Sequence, residues 1–240
     1  MYEAQQTGGQ KRRDIAAWFD QTYRTRGDRY LRPVAAYRVF VEILGKRPEG
    51  SLLDVACGLG RMLICAQHEA LTLSGIDISP VAVSKASLSL PASTLAVASA
   101  EALPFPTNHF DYVTCLGSLE RMLHPDTVLA EIGRVLKPGG KFVVMVRNSQ
   151  TLTWTALVRL GMTNERGHQG ADSLQHWRER LDNAGFSVAS TFADQWPHQR
   201  WLHWFSQVFG THWDAAPKTG LLPLRWANEF IFECTIRAAD

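Results

Sequence analysis

The stretch LLDVACGLGR, residues 52–61, gives the clearest indication of the fold of this 240-residue chain. An apolar run ends in Asp54, the glycines Gly58 and Gly60 follow, and an apolar helical pattern then begins. This pattern is typical of a strand that turns into a helix, which is where ligands bind in an open parallel sheet. Glycine lets the backbone approach a ligand closely, and the helix N-terminus offers free N–H groups to an anion. A tight connection between two packed elements, without a ligand, is the alternative interpretation.

Strands and helices alternate along the chain from this turn onward. Short apolar runs predict strands at residues 51–56, 71–77, 94–99, 110–117 and 141–147. Helical spacing of apolar residues predicts helices between them at 61–69, 81–90 and 125–136. Ser79-Pro80 is typical of a helix start, and Lys137-Pro138-Gly139-Gly140 of a helix stop. The alternation predicts an α/β chain with a doubly wound, mostly parallel sheet.

Residues 1–240 are predicted to form a single domain, with further elements at both ends of the chain. Apolar residues at helical spacing predict an N-terminal helical cap (1–48), with helices at 12–24 and 33–44, before the binding core (49–148). The C-terminal part (149–240) contains a predicted helix at 172–184, strands at 186–191 and 229–237, and irregular stretches at 149–171 and 193–227. We expect seven strands, the last two antiparallel neighbours, with an aromatic-rich insertion before the last one.

Composition excludes several classes of protein. The chain is 45% hydrophobic and 20% charged, and its net charge of +2 does not indicate a nucleic-acid partner. No uncharged apolar run approaches about 18 residues, so no membrane span is predicted, and the polar N-terminus does not resemble a signal peptide. The four cysteines form no C-x-x-C pair, which indicates reduced thiols and no zinc site. We therefore expect a cytoplasmic location.

A second carboxylate supports a ligand site at the glycine turn. Asp77 ends the next predicted strand, 23 positions after Asp54, close to the spacing of a ribose-binding acid. A dinucleotide fingerprint requires a small residue where this chain has Leu63, which disfavours a nicotinamide-dependent oxidoreductase as the alternative function. The simplest structural interpretation of Asp77 is a carboxylate that ends a strand without binding a ligand. The simplest interpretation of Cys57 is a residue that packs in the turn and is not a nucleophile.

These segments together resemble the class I S-adenosylmethionine-dependent methyltransferases. The resemblance covers roughly residues 50–147 and is carried by LLDVACGLGR, GIDIS (75–79), ASAEALPFPTNHFDYVTCLGSLE (98–120) and EIGRVLKPGGKFVVMV (131–146). Within the family, the chain is similar to the small-molecule group that includes the quinone-biosynthesis enzymes. The resemblance implies a Rossmann-like fold, S-adenosylmethionine as cofactor, and methyl transfer to an O, N or C atom of a small metabolite.

The resemblance also assigns roles to individual residues. Asp54, Ala56, Cys57, Gly58 and Gly60 are expected to hold the methionine part of the cofactor, Asp77 the ribose and Ile78 the adenine face. Ser99, Ala100 and Glu101 are expected along the adenine edge, Leu116 and Gly117 near the methionine amino group, and Tyr23 over the ligand from the N-terminal segment. Three residues depart from the family pattern: Ala56 replaces a glycine, Ser99 a usual Asp, and Arg121 the His of many quinone enzymes.

No catalytic residue stands out, and the chemistry does not require one. A sulfonium methyl group is already activated, so orientation and exclusion of water can supply much of the rate. A general base is needed only if the acceptor must lose a proton. His168, in the polar stretch ERGHQG, and His124, at a helix start where capping is the alternative role, are the two candidates. Tyr30 and His168 are also expected to contact the substrate.

Aromatic residues cluster before the last strand. The segment WPHQRWLHWFSQVFG (196–210) has Trp201, Trp204, Phe205 and Val208 at helical spacing. We expect an amphipathic helix whose Trp201 and Trp204 wall the acceptor pocket, which favours an apolar or aromatic small molecule; a helix that simply covers the sheet is the alternative. The histidines at 198, 203 and 212 match no common metal-ligand spacing, so no metal is expected.

Two further functions are compatible with the same residues. One is a methyltransferase-like protein that binds the cofactor without transferring methyl, and the other is a reaction that the sulfonium assists without methylation. Nucleic acid is disfavoured as a substrate because Leu116-Gly117-Ser118-Leu119 stands where DNA amino-methyltransferases carry an Asp/Asn-Pro-Pro-aromatic stretch. The sequence does not define the oligomeric state.

Overall fold

The computed structural model describes residues 8–45, 50–160, 170–210 and 223–237. Within these ranges the strands are β1 Gly50–Val55, β2 Leu71–Asp77, β3 Thr94–Val97, β4 Phe110–Leu116, β5 Leu136–Arg147, β6 Phe186–Ala193 and β7 Glu229–Ile236. The helices are α1 Gly8–Thr25, α2 Arg38–Leu44, α3 Arg61–Ala66, α4 Pro80–Ser89, α5 Pro125–Val135, α6 Leu152–Arg159, α7 Leu174–Asn183 and α8 Trp196–Phe209. Short 3₁₀ turns lie at Gly27–Tyr30, Val34–Tyr37, Leu119–Arg121 and Leu224–Trp226.

All seven described strands form one sheet in the order β3-β2-β1-β4-β5-β7-β6. Strands β1 to β5 pair in parallel, and β7 pairs antiparallel with both β5 and β6. This confirms the predicted doubly wound sheet and the antiparallel pairing of the last two strands. The strand order reverses between β1 and β4, and the carboxyl ends of parallel strands form a ligand crevice at such a switch point.

Helices cover both faces of the sheet. On one face, α5 and α7 pack Leu129, Ile132 and Leu181 into the core with Phe142 of β5. On the other face, α2 packs beside β5 and α3 beside β2, and they bury Phe40, Met62 and Leu63 in a second cluster. Each helix therefore uses the apolar stripe that its 3.6-residue period places on one side, and the two layers hold the strand ends in fixed positions.

Several element boundaries differ from the predicted ones for local reasons. Helix α3 ends at Ala66, three residues early, because Glu69 donates its N–H to the Ala66 carbonyl in a turn. Strand β5 begins at Leu136, because Leu136 already pairs with Phe110 across the irregular Lys-Pro-Gly-Gly segment. The stretch 149–171, expected to be irregular, contains α6, whereas α8 confirms the amphipathic helix predicted within 193–227.

The N-terminal helix α1 lies across α4 and over the carboxyl ends of the first two strands. The Asp20 carboxylate accepts the Val81 N–H at 3.3 Å and the Ser79 hydroxyl, at the start of α4. Lys85 of α4 donates to the Tyr23 carbonyl at 2.8 Å. These contacts make α1 one wall of the crevice.

Candidate functional site

The glycine turn, residues 54–60, adopts a left-handed backbone at three positions. Ala56, Gly58 and Gly60 have φ of 59°, 54° and 73°. A Cβ at Gly58 would lie 2.7 Å from the Tyr23 hydroxyl, whereas a Cβ at Gly60 would lie 2.6 Å from Leu90 Cδ1. Gly58 therefore keeps the cleft open beneath Tyr23. Gly60 instead lets α3 pack against α4, and it does not line the cleft.

Asp77 fixes this turn from the end of β2. Its Oδ2 accepts the Gly58 N–H at 2.8 Å, and its Oδ1 accepts the Ser79 N–H at 2.9 Å. Burial raises the pKa of Asp77 to about 6, against the lowering effect of these N–H groups. Each carboxylate oxygen has a second lone pair, so the side chain can still accept hydrogen bonds from a diol such as ribose.

Asp54, the penultimate residue of β1, faces the same cleft. Its Oδ1 accepts the Thr114 hydroxyl at 2.7 Å, from the neighbouring strand β4. Burial raises the pKa of Asp54 to about 7, and the negative charge of Asp77 adds to this increase. The burial cost of an ionised carboxylate falls when a cation approaches it, so this end of the cleft favours a positively charged group.

Beyond Asp77 the cleft forms a narrow compartment of about 90 Å³ between α1 and the ends of β2 and β3. The residues that the resemblance assigns to adenine all line it: Ile78, Ser99, Ala100 and Glu101. From α1, Arg12, Ile15, Phe19 and Tyr23 face them. Arg12 also forms an ion pair with Glu101, so α1 is joined to the adenine side of the cleft by a charge pair.

In the other direction the cleft opens into a wide compartment of about 640 Å³, which runs from the glycine turn to the ends of β5 and β7. Near the turn it is lined by Asp54, Ala56, Cys57, Gly58, Leu116 and Gly117, all predicted site residues. Its far part is lined by the aromatic side chains of Trp18, Tyr30, Trp154 and Trp196, whereas Tyr23 lies at the glycine turn, over Gly58. The two compartments share Phe19, Tyr23, Ala56, Ser118 and Arg121, and therefore form one continuous cleft.

An arginine–carboxylate network, made of Arg32, Arg147, Asp194 and Glu229, closes the far end. Arg32 binds Asp194 and Glu229, each at 3.0 Å, and Arg147 binds Glu229 at 3.3 Å. Arg147 and Glu229 are register partners on β5 and β7, and Asp194 follows β6. Burial raises the pKa of Glu229, Arg32 opposes this, and Asp194 reinforces it. Burial alone would lower the pKa of Arg32, but Asp194 and Glu229 raise it, so the guanidinium stays charged.

Tyr30, a predicted substrate residue, is held by a second arginine. Arg121 Nη1 donates to the Tyr30 hydroxyl oxygen at 2.8 Å. Because that oxygen accepts, the Tyr30 O–H proton is available to a ligand in the wide compartment. Behind Arg121, both Glu120 carboxylate oxygens are buried and have no hydrogen-bond partner in the described part of the chain. Burial raises the pKa of Glu120, and Arg121 opposes this.

The remaining predicted residues do not all reach the cleft. His124 is the N-cap residue of α5; its exposed side chain makes no capping hydrogen bond and does not line either compartment. His168 and the Trp201 side chain lie outside the described residues. Trp204 is 60% exposed and does not line the cleft, whereas Trp196, Pro197 and Arg200 do. Among the described side chains of α8, those near its start therefore line the wide compartment, and Trp204 does not.

Sequence reasoning missed the arginine–carboxylate network. Its members lie far apart in the chain, so no local motif links them. The one available signal was position: Arg147 and Glu229 stand at ends of predicted strands that share the ligand-binding edge. Charged residues at that edge could have been selected as site candidates, but their partners could not.

Neither a metal site nor a membrane-spanning helix is found among the described residues. In the ranges that the structure describes, no group of three or more His, Cys, Asp or Glu residues could hold a metal ion. None of the helices described is both long and apolar enough to cross a membrane.

The cleft fits S-adenosylmethionine in its charges and its shape. A buried acid with free lone pairs stands where the ribose diol is expected, and Ile78 offers an apolar face for adenine. Asp54, with its pKa raised by burial, suits the methionine ammonium group. The absence of a side chain at Gly58 leaves room for the ligand beneath Tyr23.

Comparison with known sequences agrees with this fit. Residues 53–144 match the family model of a methyltransferase domain. The chain is 33% identical to an uncharacterised methyltransferase of Synechocystis sp. over 154 residues, 62% of this chain and 72% of that protein. It is 36% identical to the ubiquinone/menaquinone biosynthesis C-methyltransferase UbiE of Shewanella pealeana over 117 residues, 45% of this chain. That match covers 47% of the enzyme, so the chain spans about half the length of this relative.

A solved structure shows the same fold over nearly the whole chain. The geranyl diphosphate C-methyltransferase from Streptomyces coelicolor A3(2), in complex with Mg²⁺, geranyl diphosphate and S-adenosyl-L-homocysteine, has a TM-score of 0.68. The alignment covers 97% of this chain and 100% of that one, at 12% identity. Sequence, fold and cleft agree: the chain belongs to the class I S-adenosylmethionine-dependent methyltransferases, and S-adenosylmethionine is its cofactor.

Proposed function

We propose that this enzyme methylates a small molecule with an apolar or aromatic body, which it holds in the wide compartment. The observation that carries the proposal is the aromatic lining of the far part of that compartment by Trp18, Tyr30, Trp154 and Trp196. Its volume of about 640 Å³ lies within the usual range for small-molecule sites. The names of two related proteins, acting in ubiquinone/menaquinone biosynthesis and on geranyl diphosphate, support an acceptor of this kind.

The cofactor occupies the glycine-turn half of the cleft in this proposal. Asp77 accepts the ribose hydroxyls, Ile78 packs on the adenine, and Asp54 faces the methionine ammonium group. Ser99, Ala100 and Glu101 follow the adenine edge, and Leu116 and Gly117 close the site beside the methionine. When bound, S-adenosylmethionine supplies an electrophilic methyl group on a sulfonium, with a neutral thioether as leaving group.

The residues of the chain then orient the acceptor and exclude water. Trp18 and Phe19 of α1 cover the cleft from one side and Trp196 of α8 from another, so the acceptor meets the methyl group in a dry space. Arg121 holds the Tyr30 hydroxyl in place, and this hydroxyl donates a hydrogen bond to a heteroatom of the acceptor. His168 stays a prediction as general base, because it lies outside the described residues.

The test is methyl transfer to a panel of phenols, quinols and isoprenoid alcohols, with polar amino acids as the comparison set. Product formation is followed by mass spectrometry and by release of S-adenosylhomocysteine. For any accepted substrate, Trp196→Ala should lower kcat/KM by about tenfold or more, with S-adenosylhomocysteine affinity within about twofold. Trp204→Ala, an exposed tryptophan on the same helix, is the matched control and should keep full turnover. Methylation of the polar set alone, or equal losses in the two variants, would contradict the proposal.

A further inference from the structure

Charge is distributed unequally along the cleft. The carboxylates Asp54 and Asp77 stand at the glycine turn. The rest of the wide compartment is lined by five arginines, which are Arg26, Arg32, Arg121, Arg147 and Arg200, and by one further carboxylate, Glu229. The cofactor end is therefore acidic, and the acceptor end carries an excess of guanidinium groups.

Three of the five arginines have carboxylate partners nearby. Arg32 and Arg147 share the acids Asp194 and Glu229. Arg121 lies 3.8 Å from the Glu120 carboxylate and binds the Tyr30 hydroxyl. Each of these guanidinium groups is balanced by about one negative charge. These three arginines therefore line the compartment without giving its wall a large net charge.

Arg26 and Arg200 are different. Neither has an ion-pair partner in the part of the chain that the structure describes, yet both line the wide compartment. Arg26 directly follows α1, and Arg200 lies one turn after Trp196 on α8, on the same face of that helix. They therefore approach the compartment from two separate walls, and each accompanies an aromatic residue of that wall, Trp18 or Trp196.

We propose that the acceptor carries an anionic oxygen group, a phosphate or a carboxylate, which Arg26 and Arg200 bind while its apolar body lies against the aromatic wall. The inference rests on the proposed function of the site. Guanidinium groups bind oxyanions through paired N–H donors, and an excess of them near apolar surface selects for an anion over a neutral ligand. The cofactor's ammonium and ribose groups meet the acidic end, and its carboxylate is expected at the backbone N–H groups of the glycine turn. If Arg26 or Arg200 held that carboxylate instead, its variant would lose S-adenosylhomocysteine affinity.

Calorimetric titrations of the full chain test this, with and without saturating S-adenosylhomocysteine. The probes are phenyl phosphate and benzoate as anions, benzyl alcohol as the neutral analogue and benzylamine as the cation. One of the two anions should bind the protein saturated with S-adenosylhomocysteine at least about tenfold more tightly than benzyl alcohol does. The identity of the tighter-binding anion shows whether the site prefers a phosphate or a carboxylate. Added salt should weaken this binding.

Variants locate the anion site. Arg26→Met and Arg200→Met should each weaken anion binding by about threefold to tenfold, and the double variant should remove the preference over benzyl alcohol. S-adenosylhomocysteine affinity should stay within about twofold in each. Arg24→Met is the matched control: it removes the same charge from an exposed position near Arg26 that does not line the cleft, and it should change neither affinity.

The two proposals fail in different ways. If S-adenosylhomocysteine binds but neither anion is preferred, or if the preference survives in the double variant, the anion site is wrong and the methyltransferase site stands. If S-adenosylhomocysteine does not bind but an anion does, through Arg26 and Arg200, the anion site stands and the assignment of the cleft to methyl transfer fails.

Discussion

At the glycine turn, Asp77 accepts N–H groups from Ser79, two residues away, and from Gly58, 19 residues away. At the far end of the same cleft, Arg32 binds Asp194 and Glu229, which lie 162 and 197 residues along the chain. The first set of contacts forms from two neighbouring strand–helix units. The second requires the N-terminal segment, β6 and β7 to be in place together.

The two ends of the cleft are therefore held by different kinds of contact. The cofactor half is held by backbone hydrogen bonds and by positions where only a small residue fits, so few sequences satisfy it. The acceptor half is held by side-chain charges on separate elements, and any of these can change without disturbing the turn. We therefore expect changes at the two ends to have separable effects on stability, cofactor affinity and acceptor binding.

The largest expected effect is on stability, from Arg32→Met. Removing this guanidinium leaves Asp194, which is 0% exposed, and half-buried Glu229 without their main cation. Breaking a buried charge network from one side costs about 3–5 kcal/mol, so we expect the free energy of unfolding in urea to fall by that amount. Arg38→Met is the control, because the Arg38–Glu42 pair is exposed and should contribute less than about 1 kcal/mol. Equal small losses in both variants would mean that the network does not hold the far end.

The two ends also differ in how well the sequence predicts them. The seven strands and the antiparallel end of the sheet follow from periodicity, and the placement of Asp54 and Asp77 near the ends of neighbouring strands follows from contiguous motifs. Their expected cofactor roles come from the resemblance. The partners of Arg32 do not, because side-chain contacts between elements far apart in the chain depend on the final packing. Trp204 shows the same limit: helical spacing identified α8, but it did not show which side of the helix meets the cleft.

A change at the glycine-turn end should instead act on cofactor affinity. Asp77→Ala removes the carboxylate that orients the turn and that, in the proposed site, accepts the ribose hydroxyls, so S-adenosylhomocysteine binding should weaken by about 1.5–3 kcal/mol in a calorimetric titration. Asp111→Ala is the matched control. Asp111 also accepts hydrogen bonds from a backbone N–H and a side chain, but it lies at the start of β4, away from the cleft. An unchanged affinity for the Asp77 variant would remove this residue from the site.

The pH dependence of stability tests the burial of Asp54. In the folded protein burial raises its pKa to about 7, whereas an unfolded Asp titrates near about 4. Between these values the folded state binds more protons than the unfolded state, so stability falls as pH rises. Relative to Asp54→Asn, the ligand-free enzyme should lose about 1–2 kcal/mol between pH 5 and about 6.5. Parallel pH profiles for the two proteins would show that Asp54 is ionised throughout, and saturating S-adenosylhomocysteine should flatten the difference if its ammonium group pairs with Asp54.

The smallest expected effect concerns Ser99, where the family usually has an Asp. Ser99 lines the narrow compartment, and its hydroxyl accepts the Glu101 N–H at 3.3 Å. A carboxylate at this position can keep that hydrogen bond and also accept the adenine amino group, so Ser99→Asp should strengthen S-adenosylhomocysteine binding by about 0.5–1.5 kcal/mol. Ser99→Ala is the control and should change the affinity by less than about 0.5 kcal/mol, because only the long hydrogen bond to Glu101 is lost.

Glu101, which forms an ion pair with Arg12, opposes the gain expected from Ser99→Asp. A second negative charge near Glu101 raises the free-energy cost of burying both carboxylates. A loss of more than about tenfold in the Asp variant would therefore mean that repulsion from Glu101 outweighs the new hydrogen bond, and that an acid at position 99 does not improve adenine binding in this enzyme.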